Sequence, residues 1–141
     1  MSSSPLRIIP LGGLGEVGKN MTLFETEGGS IVVDAGLAFP RDEHLGVDLI
    51  LPDFGYLRDL RSPILAVVLT HGHEDHVGAL PYLLREVPIP QVWATRLTLG
   101  LVQSKLDEHG LLRAAELHEI CPEDGPLELG PFRVEFVRMA H

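Results

Sequence analysis

Hydrophobic and polar positions follow a strand-like pattern in the first half of the chain. Residues 6–11 form an apolar stretch that ends at a glycine pair, which predicts a strand and a turn. Residues 21–26 and 30–34 flank Gly28-Gly29, which predicts a β-hairpin. Residues 64–69 are a continuous apolar run, which is typical of a strand buried on both faces.

The pattern changes to helical spacing from Val77 onward. The apolar positions that recur at this spacing are Val77, Leu80, Leu83, Leu84 and Val87. Pro88 and Pro90 end this helix, and Thr95 is expected to cap a second helix that ends at Gly110. Shorter elements are predicted on either side: a loop over 40–52, a helix within 53–60, and strands at 91–94, 117–121, 127–129 and 132–136.

This mixture of early hairpins and a central strand–loop–helix unit predicts a layered α/β domain. With 141 residues, of which 45% are hydrophobic and 22% charged, the chain is long enough for one globular domain. We expect residues 1–5 to be a flexible tail. No apolar run approaches the roughly 20 residues that span a bilayer. We therefore expect no membrane contact. The single cysteine, Cys121, cannot form an internal disulfide, which favours a cytoplasmic protein.

The charge balance is acidic, with 11 basic and 20 acidic residues and a net charge of −9. Nucleic-acid binding usually depends on clustered Lys and Arg that neutralise phosphates. The composition therefore argues against a nucleic-acid surface on this chain alone.

The strongest chemical signal is the segment 71–76, HGHEDH, which follows the predicted buried strand. His71, His73 and Asp75 alternate, so an extended loop would point them the same way, with His76 beside them. Imidazole nitrogens and carboxylate oxygens are ligands for zinc, and also for manganese or iron. Four such residues in six positions make a polar loop with incidental histidines a poor alternative. The other histidines, His44, His109 and His118, have no ligand-like neighbours and are expected on the surface.

A glycine-rich segment at 13–18, GLGEVG, fits the dinucleotide fingerprint, and with Lys19 it nearly fits a phosphate loop. Both motifs need a helix that begins at the glycines. Residues 21–25 predict a strand instead, and Asn20 stands where the phosphate loop has Ser or Thr. We therefore expect these glycines to shape a turn beside the metal site.

The H-x-H-x-D-H segment resembles the signature of the metallo-β-lactamase fold, an α/β αββα sandwich. The resemblance implies two divalent metal ions, zinc or alternatively manganese. His71 and His73 would bind the first ion, with His141 as its third ligand; Asp75 and His76 would bind the second. Asp75 would also be catalytic, by orienting a metal-activated hydroxide. Asp34 matches a strand-end carboxylate that supports the metal loop by hydrogen bonding without binding the ions.

Longer matches narrow the resemblance to the ribonuclease J family: GGLGEVGKNM at 12–21, GVD at 46–48 with Pro52-Asp53, HGHEDHVGALPYLL at 71–84 and ATRLTLGL at 94–101. The resemblance implies 5′-to-3′ exonuclease and endonuclease activity on RNA, in a homodimer or homotetramer. It also implies that residues 6–141 are the N-terminal part of a hydrolase domain. In that family a β-CASP domain is inserted into the hydrolase domain and a C-terminal domain follows, and both would lie outside this sequence. RNA would be held mainly by those regions, and the chain alone is expected to be inactive.

Two alternatives remain open from the sequence. The chain could belong to another hydrolase of this fold, acting on thioesters, lactones or DNA, or it could be a non-catalytic interaction module. A β-CASP insertion after His141 would favour a nucleic-acid substrate. Retention of all four motif ligands argues against the non-catalytic module.

Overall fold

A six-stranded mixed sheet organises the chain in the computed structural model, which describes residues 5–39, 46 and 50–139. The strands lie side by side in chain order, β1 to β6, and a separate hairpin, β7 and β8, follows. The strands are β1 (Arg7–Gly12), β2 (Met21–Thr26), β3 (Gly29–Val33), β4 (Ile64–Val68), β5 (Gln91–Ala94), β6 (Glu116–Glu119), β7 (Leu127–Leu129) and β8 (Phe132–Val134). The helices are α1 (Gly55–Arg58), α2 (Glu74–Val77), α3 (Leu80–Glu86) and α4 (Arg96–Glu108).

The sheet changes from antiparallel to parallel pairing at β3. The first three strands form an antiparallel meander, in which Phe24 pairs with Ile31 across the predicted hairpin. Strands β3 to β6 are parallel, and Val33 is in register with Val68 at the ends of β3 and β4. The carboxyl ends of four neighbouring strands therefore meet at one edge, which is where open α/β sheets place their ligands.

The helices cover one face of the sheet. Val32, Val67 and Val92 point from the strands into this layer, where they share a core with Leu83 of α3 and Val102 of α4. These residues are fully buried, as expected for central parallel strands. Among the described residues, no helix is both long and apolar enough to cross a membrane.

The predicted single helix from Val77 is instead two helices, α2 and α3. The amide of Ala79 donates to the carbonyl of Ala35 at 2.8 Å, and so leaves the helical hydrogen-bond pattern. Pro81 has no N–H to continue that pattern. The break therefore ties the start of α3 to the loop that follows β3.

Helix α4 has the predicted bounds but not the predicted cap. Thr95 occupies the N-cap position with an extended backbone, yet its side chain makes no capping hydrogen bond. Its hydroxyl instead lies 3.4 Å from the Thr98 hydroxyl. At the other end, Gly110 adopts φ +70° and the Leu111 amide bonds the Leu106 carbonyl at 2.7 Å, so the helix ends as the sequence predicts.

The hairpin β7–β8 packs on the opposite face of the sheet. Its Leu129 shares a buried cluster with Ile31, Ala66 and Val68, and Phe132 packs against this cluster. A helix layer, a sheet and the first strands of a second sheet agree with the predicted metallo-β-lactamase-like sandwich. Most of the predicted 40–52 loop, with His44, lies outside the described residues, as do the tail residues 1–4 and His141.

Leu83→Ala should lower the free energy of unfolding by about 2–5 kcal/mol, because it leaves a cavity in the helix-side core. Leu97→Ala is the matched control, since Leu97 is 79% exposed on α4. Its effect should stay within about 0.5 kcal/mol. Urea unfolding followed by circular dichroism measures both, and equal effects would contradict this core.

Candidate metal centre

Asp34 is the buried centre of a hydrogen-bond network at the carboxyl edge of the sheet. It follows β3 directly, and its side chain accepts from the Thr70 amide at 2.8 Å and from the Thr70 hydroxyl at 2.8 and 3.0 Å. It also lies 2.7 Å from Nδ1 of His76. Because β3 and β4 are adjacent and parallel, the residue after one strand meets the loop after the other.

The backbone of Asp34 is in the left-handed region, with φ +64°. This conformation costs a residue with a Cβ about 1–2 kcal/mol, and aspartate tolerates it better than most. The hydrogen bonds to Thr70 and His76 hold the residue there, and strain of this kind is concentrated at functional sites.

The contact with Asp34 sets the tautomer of His76. An ionised carboxylate only accepts hydrogen bonds, so Nδ1 of His76 carries the proton that it donates across 2.7 Å. The lone pair is then on Nε2, which is the form of imidazole that binds a metal ion. The buried partner of His76 thus holds its ring in the tautomer that a metal ligand needs.

Thr70 extends the same effect to His71. The Thr70 hydroxyl has one hydrogen, which it donates to Asp34, so its lone pairs face Nδ1 of His71 at 3.0 Å. Nδ1 of His71 must then be the donor, and the lone pair of this ring is also on Nε2, an atom shielded from solvent. One carboxylate therefore selects the tautomers of two histidines.

The segment that carries Asp75 packs tightly on the loop after β3. The Ala35 amide donates to the His76 carbonyl at 2.7 Å, and the Leu37 amide to the Glu74 carbonyl at 3.1 Å. A Cβ built on Gly36 would overlap the carbonyl oxygen of Asp75. Only glycine allows the two segments to approach this closely.

Helix α4 holds the other side of the segment through an ion pair. The Lys105 ammonium contacts Glu74, which lies between His73 and Asp75. A Cβ on Gly78 would lie 2.5 Å from a Glu74 carboxylate oxygen. Glu74 is therefore packed as well as paired, and it joins the predicted metal loop to α4.

The glycine-rich segment forms the loop between β1 and β2, as the sequence predicts. It is followed by a strand and not by a helix, so neither nucleotide-binding motif is present. The Gly13 amide donates to Glu16 at 3.1 Å, and this bond, together with Lys19, holds the pKa of Glu16 below its ordinary value. Asn20, at the end of the loop, reaches Asp75 and His76.

The four predicted ligands of segment 71–76 lie together at this edge. The ring centroids of His71 and His73 are 4.6 Å apart, and those of His71 and His76 are 4.0 Å apart. Nε2 of His76 lies 3.5 Å from a carboxylate oxygen of Asp75. Three imidazoles and a carboxylate are a donor set that suits zinc or manganese.

The described part of the chain does not contain a complete ligand set. Within it, no three His, Cys, Asp or Glu side chains are arranged to hold an ion by themselves. The predicted third ligand of the first ion, His141, lies outside the described residues. The donor chemistry and the two histidine tautomers fit divalent ions, whereas the ligand assignments stay predictions.

Three contributors to this site were missed by the sequence reasoning: Thr70, Lys105 and Asn20. Thr70 stands directly before the motif, and its position beside His71 was the only available signal. Of the histidines expected on the surface, His109 and His118 are partly buried, and His44 lies outside the described residues. His109 packs edge-on against Tyr82, and His118 stacks on Trp93 with ring centroids 4.5 Å apart.

Comparison with known proteins gives one family and a group of close relatives. A family model described as the Metallo-beta-lactamase superfamily matches residues 14–130. A ribonuclease J from Helicobacter pylori is 44% identical over 140 residues, which cover 99% of this chain and 20% of that protein. A ribonuclease J from Thermus thermophilus is 48% identical, covering 96% and 25%. The resemblance expected from the sequence is confirmed, and the chain spans a fifth to a quarter of these curated relatives.

Solved structures share the architecture at lower sequence identity. The metallo-beta-lactamase fold protein YhfI from Bacillus subtilis matches with TM-score 0.60 and 21% identity, over 97% of this chain and 54% of that one. Zinc-bound PqqB from Methylobacterium extorquens matches with TM-score 0.52 and 21% identity, over 79% and 36%. At these identities the likeness concerns the fold alone.

Gly36→Ala should lower the free energy of unfolding by about 1–3 kcal/mol, because the new Cβ displaces the Asp75 carbonyl. Gly100→Ala is the matched control, since a Cβ there meets nothing within 4 Å on α4. It should raise the free energy of unfolding by about 0.5–1 kcal/mol. Chemical denaturation measures both signs, and a neutral Gly36→Ala would contradict the close approach.

Asp34→Asn should reduce the affinity for divalent ions by about 10–100-fold, because the amide can donate where the carboxylate only accepts and so disturbs both tautomers. Asp107→Asn on the exposed side of α4 is the control. Isothermal titration calorimetry with Mn²⁺, on the complete protein that contains this chain, measures the affinity of each variant and of wild type. Equal affinities in the two variants would refute the role of Asp34.

Proposed function

The chain belongs to the metallo-beta-lactamase superfamily, and on that premise we propose that it supplies the metal centre of a metal-dependent ribonuclease of the ribonuclease J type. The observation that carries this proposal is the 44–48% identity to ribonuclease J along nearly the whole chain. The clustering of the motif side chains at the sheet edge supports it.

Each ion has assigned ligands in this proposal. His71 and His73 would hold the first ion together with His141, and Asp75 and His76 would hold the second. When bound, the ions would lower the pKa of water and offset negative charge on the phosphoryl oxygens. We propose zinc as the metal, with manganese as the alternative.

The chain's own residues prepare the site for phosphodiester hydrolysis. Asp34 and Thr70 keep the lone pairs of His71 and His76 on Nε2. Asp75 is the proposed catalytic residue, because its carboxylate beside His76 can accept a hydrogen bond from the attacking water and orient it. The water oxygen attacks phosphorus and gives up one proton to solvent, the bond from phosphorus to the leaving oxygen breaks, and that oxygen takes up a proton.

The acidic chain needs other regions to hold RNA. At a net charge of −9 it repels phosphates, so the basic and stacking surfaces would lie in β-CASP and C-terminal domains beyond these residues. We propose both 5′-to-3′ exonuclease and endonuclease action, in a cytoplasmic homodimer or homotetramer. Residues 1–141 alone should show no turnover, because the second ion has two assigned ligands among them, Asp75 and His76.

The test is cleavage of 5′-monophosphorylated and 5′-triphosphorylated RNA by the complete protein that contains this chain. His73→Ala should reduce the rate on the preferred RNA by at least about 100-fold, because it removes a proposed ligand. His109→Ala is the matched control, since this histidine follows the last residue of α4 and its ring contacts Tyr82 of α3 instead of the motif.

Two results would contradict the proposal. One is a complete protein that, loaded with zinc or manganese, leaves both RNAs intact but hydrolyses a thioester or lactone. The other is equal RNA cleavage by His73→Ala and wild type.

A further inference from the structure

Asn20 donates two hydrogen bonds to a single carbonyl oxygen in the predicted metal segment. Its backbone amide donates to the Asp75 carbonyl at 3.0 Å, and its side-chain Nδ2 donates to the same oxygen at 3.0 Å. A carbonyl oxygen has two lone pairs, so this one residue satisfies both. The contact joins positions that are 55 residues apart in the chain.

The same Nδ2 atom also faces the two side-chain atoms proposed to bind the second ion. It lies 3.4 Å from Oδ2 of Asp75 and 3.5 Å from Nε2 of His76. These distances are at the long limit of a hydrogen bond, whereas the bond to the carbonyl is of ordinary length. Asn20 therefore fixes the backbone of Asp75 firmly and holds its side chain only weakly.

The orientation of the Asn20 amide follows from its surroundings. Nδ2 faces a carbonyl oxygen, a carboxylate oxygen and the lone pair of His76, all of which are acceptors. The opposite orientation would bring Oδ1 against these three. On the other side, a Cβ at Gly13 would lie only 2.6 Å from Oδ1, and Gly13 has φ +86°, so glycine is needed there.

The loop geometry delivers Asn20 to this position. Lys19 adopts φ +52° and Gly18 φ +96°, which turns the chain at the end of the glycine-rich loop. The Asn20 carbonyl then accepts from the Gly36 amide at 2.9 Å. The loop that fits a nucleotide motif in sequence is thus bound to the two segments that form the metal site.

We propose that Asn20 is a positioning residue for the second metal ion, which it serves by fixing the Asp75 carbonyl so that Asp75 Oδ2 and His76 Nε2 stay adjacent. This inference rests on the proposed function, because it needs an ion at Asp75 and His76. It assigns the glycine-rich loop a role in ion affinity.

The experiment compares Asn20→Leu and Asn20→Ser with wild type in the complete, metal-free protein. Leucine keeps the branched shape of asparagine without its donors, and serine is shorter and easily accommodated if leucine impairs folding. Val17→Ala is the matched control, since Val17 lies in the same loop and is 92% exposed. Titration calorimetry with Mn²⁺ measures the affinity of each ion, and scanning calorimetry measures the metal-free unfolding temperature.

Both Asn20 variants should lower the affinity for the second ion by about 10–100-fold, as loss of an orienting partner does. The affinity for the first ion should stay unchanged. Val17→Ala should match wild type. Equal weakening of both ions in step with a lower unfolding temperature would mean a merely structural role, and it would overturn the inference.

The inference and the proposed function fail in different ways. Unchanged affinities in the Asn20 variants, with two ions bound by wild type, would overturn the inference alone. A wild-type protein that binds no divalent ion would overturn the proposed function and this inference with it.

Discussion

The buried carboxylate of Asp34 is the interaction on which the rest of the site depends. It accepts hydrogen bonds from the Thr70 amide, the Thr70 hydroxyl and the His76 ring, at the place where the parallel strands β3 and β4 end. A buried carboxylate is tolerated only when its oxygens are well paired. Its pairing partners here are groups that must themselves be oriented, so the requirement to satisfy Asp34 also arranges the histidines.

Much of the fold follows from short-range patterns in the sequence. The hairpin at Gly28-Gly29, the doubly buried strand at 64–68 and the helix that ends at Gly110 need only apolar periodicity and turn residues to be predicted. The break before α3 was missed because it depends on a hydrogen bond from Ala79 to a distant carbonyl, that of Ala35. Periodicity carries no information about such partners.

The same distinction applies to the candidate site. The ligand types in 71–76 are visible in the sequence because they are close together in it, and Asp34 was suggested by resemblance. The roles of Asn20 and Lys105 were not visible, since each contacts the motif from a separate element. His141, predicted from the same resemblance, lies outside the described residues.

The alignment of Val33 with Val68 across β3 and β4 has a consequence for the Asp34 network. A slip of one residue between the strands would turn Asp34 away from Thr70, since neighbouring side chains point to opposite faces. A single misaligned strand pair would therefore cost the protein a buried, well-paired carboxylate as well as apolar packing. The register of β3 on β4 is thus specified twice, once by the apolar core and once by polar pairing at the strand ends.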